Sequence, residues 1–511
     1  MQAPSDTDVL IIGAGPSGLL AAIELARHGV KARVIERAQT APHQARATAL
    51  QPGTLEILAQ AGVVDAVLAE SVHLRYARLL DADLQTTAET DFTTASAGCP
   101  WEFQCSLPQW RTEQILTDRL TELGGTIERG IEAVALSERP DGVLIDLKHG
   151  DGTPETTQAR WVVGAGGAHS VTRESMTEVL AGETYPGTAL VADVTVSCGL
   201  PRDGSALVAT PAGYVLLAPL PTGRWLTFIG DLGDDEVERL TRDTSLTSVA
   251  AALAQRIPGN LVELSGVGWA AVFRMHKRLT PHLADGRRFL LGDAGHLSSP
   301  FGGEGLNSGL HDAHNLAWKL ALELRGRGRP GLSDTFAVER GAAARHVLAV
   351  SDRLHQLVQT AVEAARTGRP PSATAPPSPA QAAALVRARC MLDVAYAGSP
   401  LTGRYPSAGD DGLPRRSDDP VPAPGERYPG RAALRGTGHH VLLAGRPDQP
   451  ALDHLRSRWA GLVEVSTDPL LEGNGAVLVR PDGYLGFRAA SADAAGLAAL
   501  DAHLGSYLVP N

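Results

Sequence analysis

Short apolar runs that stop at glycines alternate with helically spaced stretches near the start of the chain. Residues 8–12 are apolar after Asp8 and run straight into glycines, the pattern of a strand buried on both faces. From 17 to 28, Leu19, Leu20, Ile23, Leu25 and Ala26 fall at helical spacing, and Gly29 supplies a C-terminal stop. Residues 31–36 read as a second strand, completing a βαβ unit. Helices are expected over 53–69 and 112–123, separated by an irregular stretch at 86–100. Residues 161–164 form another buried strand ending in glycines. The period changes over 185–273, where segments such as 189–197, 213–218 and 225–230 alternate with Pro/Gly turns, as in an antiparallel sheet. A buried strand returns at 289–291. A long helix is expected over 306–324, with Leu306, Leu310, Ala313, Ala317, Leu320 and Leu324 on one face. Residues 333–365 read as mostly helical. The proline-rich 368–380 is a linker, and 399–431 marks a further boundary. Strands at 441–444, 463–466 and 476–480 then imply a small α/β domain.

Composition excludes several classes. The 511 residues suffice for about three domains at roughly 150 residues each. With 43% hydrophobic and 20% charged residues the chain can build an ordinary globular core. A formal charge of −11 without a basic stripe argues against a nucleic-acid partner. Only Lys31, Lys148, Lys277 and Lys319 are lysines among the 46 basic residues, a bias that points to a GC-rich bacterial gene. The cysteines Cys99, Cys105, Cys198 and Cys390 lack metal-ligand or redox spacing, so a reducing cytoplasm is the expected compartment. No signal-peptide pattern and no stretch of ~18 uncharged apolar residues is seen, so no membrane association is expected.

Two clusters carry the chemistry. Gly13-Ala14-Gly15-Pro16-Ser17-Gly18 is a GxGxxG between a strand and a helix. Gly13 suits the tight turn, Gly15 close approach to a pyrophosphate, and Gly18 helix–sheet packing. Glu36 ends the second strand, where a carboxylate accepts from ribose hydroxyls and repels a 2′-phosphate, which favours FAD or NAD over NADP. The second cluster covers 289–296 and 300–307, and an NAD-only domain needs nothing like it. Asp293 is placed to meet ribityl hydroxyls, and the glycines at 302, 303 and 305 let backbone pass close to an isoalloxazine. The following helix points its positive end at the ring. His311 with His314, and the His439-His440 pair, lack a third ligand, so no metal is expected. The glycines at 164–168 read as a turn rather than a second nucleotide site.

These motifs resemble the class A, single-component flavoprotein monooxygenases, which include para-hydroxybenzoate hydroxylase, phenol hydroxylase and bacterial aromatic polyketide hydroxylases. The resemblance covers nearly the whole chain. It implies cofactor contacts for Gly13, Gly15, Pro16, Ser17, Gly18, Glu36, Arg37, Arg46, Gln109, Gly166, Asp293, Pro300, Gly302, Gly303, Gly305, Leu306 and Asn307. Gln109 with Glu113 and Leu116 resembles a family helix start, and Asp312, Asn315, Trp318, Lys319 and Leu320 fit the helix after the second motif. The implied fold is α/β: a Rossmann-like FAD-binding domain (1–180 and 276–365), an antiparallel-sheet substrate domain (181–275), a helical linker region (366–427) and a thioredoxin-like C-terminal domain (428–511). The last has no redox cysteine pair, which implies a structural or dimer role. Two positions depart from the family. Gly166 replaces an aspartate associated with the pyrophosphate region and nicotinamide use, and Glu304 stands where glutamine is common.

The resemblance implies FAD, with NADPH or NADH as a transient cosubstrate and O₂. Hydroxylation of a bulky phenolic or quinone substrate would proceed through a flavin C4a-hydroperoxide, in aromatic polyketide biosynthesis. Pro300 and Phe301 are expected to face the reacting ring, with Arg274 and His276 as further catalytic candidates. A Baeyer–Villiger or rearrangement reaction is an alternative on the same scaffold. A flavin-linked dehydrogenase or a non-catalytic flavin- or ligand-binding protein is another, although a second GxGxxG set between a strand and a helix, or the CxxxxC of a reductase, is missing. A monomer or homodimer is expected.

Overall fold

The computed structural model describes residues 6–42, 47–95, 98–368, 378–405, 415–416, 422–431, 434, 436–468 and 471–510. Its first sheet, eight-stranded among the described residues, is built on the βαβ unit at the chain start. The strand Asp6–Ile12 pairs in parallel with Ala32–Glu36 on one side and Pro154–Gly164 on the other. Arg288–Leu290 joins Pro154–Gly164 in parallel, so two strands that end in glycines lie close together. Val9, Leu10 and Ile11 are fully buried, as expected of a strand covered on both faces.

A second eight-stranded sheet centres on two long antiparallel strands, Ala181–Ser197 and Glu263–Leu279. Alternation decides what each face meets. Leu190, Ala192 and Val194 pack with residues of the helices Asp234–Arg242 and Leu246–Ala254. Val191 clusters on the other face with Leu226 and Phe228. Tyr76–Leu80 and Thr86–Asp91 extend this sheet, so part of the stretch read as irregular is an edge strand. Thr86–Asp91 is polar and largely exposed, and no apolar alternation announces it.

The helix expected at 53–69 is two helices, Pro52–Ala61 and Val64–Glu70. Gly62 ends the first at φ 82°, a left-handed cap that favours glycine. The long helix runs Glu304–Leu324, starting two residues earlier than expected, and is buried along nearly its whole length. The helix Pro16–Arg27 packs against one side, and Trp318 and Leu322 join a C-terminal cluster that includes Val441, Leu478 and Trp459. Among the described residues that C-terminal unit is a five-stranded mixed sheet with the helices Gln449–Arg458 and Ala494–Tyr507. Of the linker expected at 368–380, residues 369–377 lie outside the described residues and Pro379–Arg389 is a helix; of the boundary at 399–431, residues 406–414 and 417–421 lie outside them. Among the described residues no helix is long and apolar enough to cross a membrane.

Candidate active site

The first glycine turn is shaped by crowding. A β-carbon on Gly13 would press on the Ala165 carbonyl oxygen, and one on Gly18 would press on the Gly13 oxygen. At Gly15 a β-carbon would meet nothing within 4 Å, because this glycine faces open space. Gly13 and Gly18 therefore serve packing, while Gly15 keeps the helix N-terminus accessible to a ligand. Glu36 is held by two backbone donors: Ala14 N–H reaches Oε2 at 3.0 Å and Ala38 N–H reaches Oε1 at 2.9 Å.

Two further glycine turns are clamped to each other. Arg173 donates to the carbonyl oxygens of Ala294 (3.0 Å) and Ala168 (2.8 Å), tying 164–168 to 292–294. Ser170 caps the short helix that carries Arg173, accepting from its backbone N–H at 3.3 Å. Asp312, fully buried, accepts from Gly292 N–H (3.0 Å), His296 Nε2 (2.7 Å) and Arg340 Nε (2.7 Å). Burial alone would raise its pKa, but Arg340 and His296 hold it down to about 2. This buried carboxylate fixes the turn that presents Asp293.

A cavity of about 1100 Å³ starts between these turns and ends against the second sheet. Gly13, Gly15, Pro16, Ser17, Glu36 and Arg37 line its start, and Gln109 and Gly166 lie alongside. Asp293, Pro300, Phe301, Gly302, Gly303, Gly305 and Leu306 line its middle. Leu207, Leu216, Leu226 and Phe228 from the sheet, with Leu354 and Val358, form an apolar far end. Pockets for drug-sized ligands measure roughly 300–1,000 Å³, so there is room for an extended cofactor with a second molecule beside it. The donor set fits FAD: an open helix N-terminus for phosphate, carboxylates at both sugar positions, and glycines where a flat ring must approach backbone.

Several expected residues lie elsewhere. Asn307 is fully buried and turned into the scaffold, accepting from Gln51 N–H at 2.9 Å and donating to the oxygens of Ala49 (2.8 Å) and Gly303 (2.6 Å). Gly18 is likewise absent from the cavity lining. Arg274 and His276 are on the strand Glu263–Leu279 and do not line the cavity; His276 Nδ1 pairs instead with Thr184 Oγ1 at 2.9 Å. Arg46 falls outside the described residues. Gly166 is not a steric necessity, since a β-carbon there would have no neighbour closer than 3.8 Å. His311 and His314 are both buried, and His314 Nδ1 faces Glu24 at 3.5 Å. Among the described residues no group of three or more His, Cys, Asp or Glu side chains could hold a metal.

The sequence reading missed contributions from distant segments. Phe301 packs edge-on against Tyr214 and His355, each with centroids 5.3 Å away. Ser299 Oγ lies 3.3 Å from His355 Nδ1 and accepts from Phe301 N–H at 3.4 Å. Leu354 and Arg389 reach the cavity from helices that carry no recognisable motif. Glu304 is 1% exposed, lines the cavity, and has no hydrogen-bond partner at either oxygen among the described residues.

Comparison with known proteins agrees with this geometry. Residues 6–351 match the FAD binding domain family, and 425–507 match the family described as aromatic-ring hydroxylase, C-terminal. The chain is 34% identical to 6-methylpretetramide 4-monooxygenase of Streptomyces rimosus, an alignment covering 97% of this chain and 92% of the relative. It is 30% identical to the 12-dehydrotetracycline 5-monooxygenase/anhydrotetracycline 6-monooxygenase of Streptomyces rimosus subsp. rimosus, over 94% of this chain and 95% of that one. The crystal structure of aklavinone-11 hydroxylase with FAD and aklavinone superposes with a TM-score of 0.78 at 25% identity, covering 99% of both chains. With two glycine turns, one cavity and full-length relatives in agreement, the chain belongs to the class A FAD-dependent aromatic hydroxylases.

Proposed function

We propose that this monooxygenase hydroxylates a flat, fused-ring phenol or quinone of aromatic polyketide type, consuming NADPH or NADH and O₂. The observation that carries this reading is the continuity of the cavity. It joins the glycine turns to a broad apolar wall of Leu207, Leu216, Leu226 and Phe228, suited to a large planar ring system. The names of full-length relatives support the substrate class.

We assign Gly13, Gly15, Pro16 and Ser17 to the FAD pyrophosphate, Glu36 and Arg37 to the adenosine end, and Asp293 to the ribityl chain. Gln109, Gly166 and 300–306 would lie along the flavin. Arg46 keeps a flavin-side role by resemblance only, and Gly18 and Asn307 act by holding the turns. Bound FAD supplies hydride acceptance and oxygen activation. This chain's residues position and desolvate: the apolar wall excludes water, and the positive helix end stabilises charge arriving on the ring. Substrate contact falls to Pro300 and Phe301 rather than to Arg274 or His276. Within this reading 1–180 with 276–365 forms the cofactor unit, 181–275 most of the substrate sheet and 366–427 a connecting region. The mixed sheet and flanking helices of 428–511 support a thioredoxin-like unit in a structural role.

The test is NADPH and NADH oxidation by the FAD-loaded protein with a panel of fused-ring phenols and quinones under ¹⁸O₂. Substrate-stimulated oxidation with one heavy oxygen in the product is expected. Flavin reduction without label in any product would sink the reading in favour of dehydrogenation. Label inserted into a ring carbon–carbon bond would replace hydroxylation with Baeyer–Villiger chemistry.

A further inference from the structure

The first residue of the helix Glu304–Leu324 is a carboxylic acid in a place that penalises charge. Glu304 is 1% exposed and forms part of the cavity wall. Its Oε1 lies 2.9 Å from where a β-carbon on Gly302 would sit, and Leu354 Cδ1 is equally close, so the carboxyl folds back over the cavity loop. Neither oxygen has a hydrogen-bond partner among the described residues, and no ion pair reaches it. Two charged groups act on it. Arg389, at the end of the helix Pro379–Arg389, lies over the Phe92 ring at 4.9 Å and leaves its own Nε unpartnered. Asp393, just beyond, is engaged by His346 at 3.0 Å. The helix Thr335–Thr367 presents Leu354 on the remaining side.

An isolated carboxylate in such surroundings takes up a proton rather than remain charged. Burial pushes the Glu304 carboxyl well above its usual range; Arg389 opposes this and Asp393 adds to it. The consequence is electrostatic. The helix N-terminus carries roughly half a positive charge, which a full negative charge in its first turn would more than cancel. A neutral acid leaves it intact.

We propose that Glu304 works in this site as an uncharged carboxylic acid, a tuning residue that preserves the positive end of its helix for the flavin and opposes flavin reduction once ionised. The proposal rests on the reading of the cavity as the flavin site. Glu304 neither gives nor takes electrons: the hydride passes from reduced nicotinamide to FAD. Where Glu304 is ionised beforehand, it draws one proton from solvent as negative charge arrives beside it.

The test uses FAD-loaded wild-type protein and Glu304→Gln, whose amide fills the same space and stays neutral. In the wild type, anaerobic flavin reduction should fall about tenfold per pH unit beyond an alkaline break, with the midpoint potential showing one additional linked proton there. E304Q should lack that break in both readouts. Infrared spectra of the wild type at neutral pH should show a protonated-carboxyl C=O band that shifts in ²H₂O. That band should persist in Glu323→Gln, which removes the other carboxyl that burial pushes up among the described residues, and vanish in E304Q. Superimposable pH profiles, or no such band in the wild type, would overturn the proposal even with FAD bound normally. A wild-type protein that retains no FAD would instead overturn the flavin-site reading, and this proposal with it.

Discussion

Glu304 and Glu339 are both 1% exposed, yet their surroundings push their pKa values in opposite directions. Glu339 is surrounded by donors: Lys319 Nζ at 2.7 Å, Asn315 Nδ2 at 2.8 Å, Ser399 Oγ at 2.5 Å, and both terminal nitrogens of Arg480 at 2.5 and 2.9 Å. Burial would raise its pKa, but Arg480 and Lys319 hold it well below the usual range. Asn315 and Lys319 belong to the same helix that begins with Glu304. Burial therefore does not determine charge; the partners do. At the paired end of the helix the charges are structural, binding the C-terminal unit through Arg480. At the unpaired end the carboxyl faces a cavity.

The strongest way to break this contrast is to strip the paired end. Arg480→Ala leaves Glu339 and Asp482 without their shared guanidinium. A loss of about 3–5 kcal/mol is expected, because removing one partner strands buried charge. Denaturant unfolding would show it, with the C-terminal unit loosening first. An unchanged midpoint would mean that the web contributes nothing to docking. Next comes Asp312→Asn, which weakens the hold on Gly292, His296 and Arg340 at the flavin turn. About 2–3 kcal/mol should be lost, since hydrogen bonds to charged groups contribute roughly 1.5–3 kcal/mol each and the amide keeps part of them. FAD affinity measured by titration should fall with it. The Asp312 pKa is depressed on folding, so its contribution is present above the unfolded carboxylate range and lost as pH falls through about 2. The Asp312→Asn variant should lack that acid limb.

What could be read in advance follows the same division between local and distant determinants. The turns at 13–18 and 292–305 were legible because spacing between a strand and a helix dictates how glycines are used. Glu36 was legible as the last residue of a strand. Asn307 was recognised as part of the motif, but not its direction: its side chain ties Gln51 to the loop and does not line the cavity. Arg274 and His276 are close in sequence to the second turn, yet their strand register pairs them with Thr188 and Thr184, off the cavity. Leu354 and Arg389 are invisible in the sequence because their roles come from long-range packing. Glu304 is visible in the sequence as a departure from the family, but only the structure shows that it lacks a partner among the described residues.

The pH dependence at Glu304 sharpens the contrast most, because its sign is unusual. Burial raises the Glu304 pKa on folding, so the native state binds a proton that the unfolded chain releases. Stability from this group is complete below the unfolded carboxylate range and declines as pH rises toward the raised folded pKa. The slope is about 1.4 kcal/mol per pH unit while the two states differ by one proton. Glu304→Gln removes that decline. The variant should therefore match or exceed the wild type at neutral pH, with its advantage growing toward alkaline pH. Glu339→Gln should behave the other way, less stable than wild type at neutral pH and approaching it only in acid. Parallel denaturant titrations over a pH series would separate the two. If E304Q tracked the wild type at every pH, Glu304 would be ionised in the native state, and some group must then move to meet it.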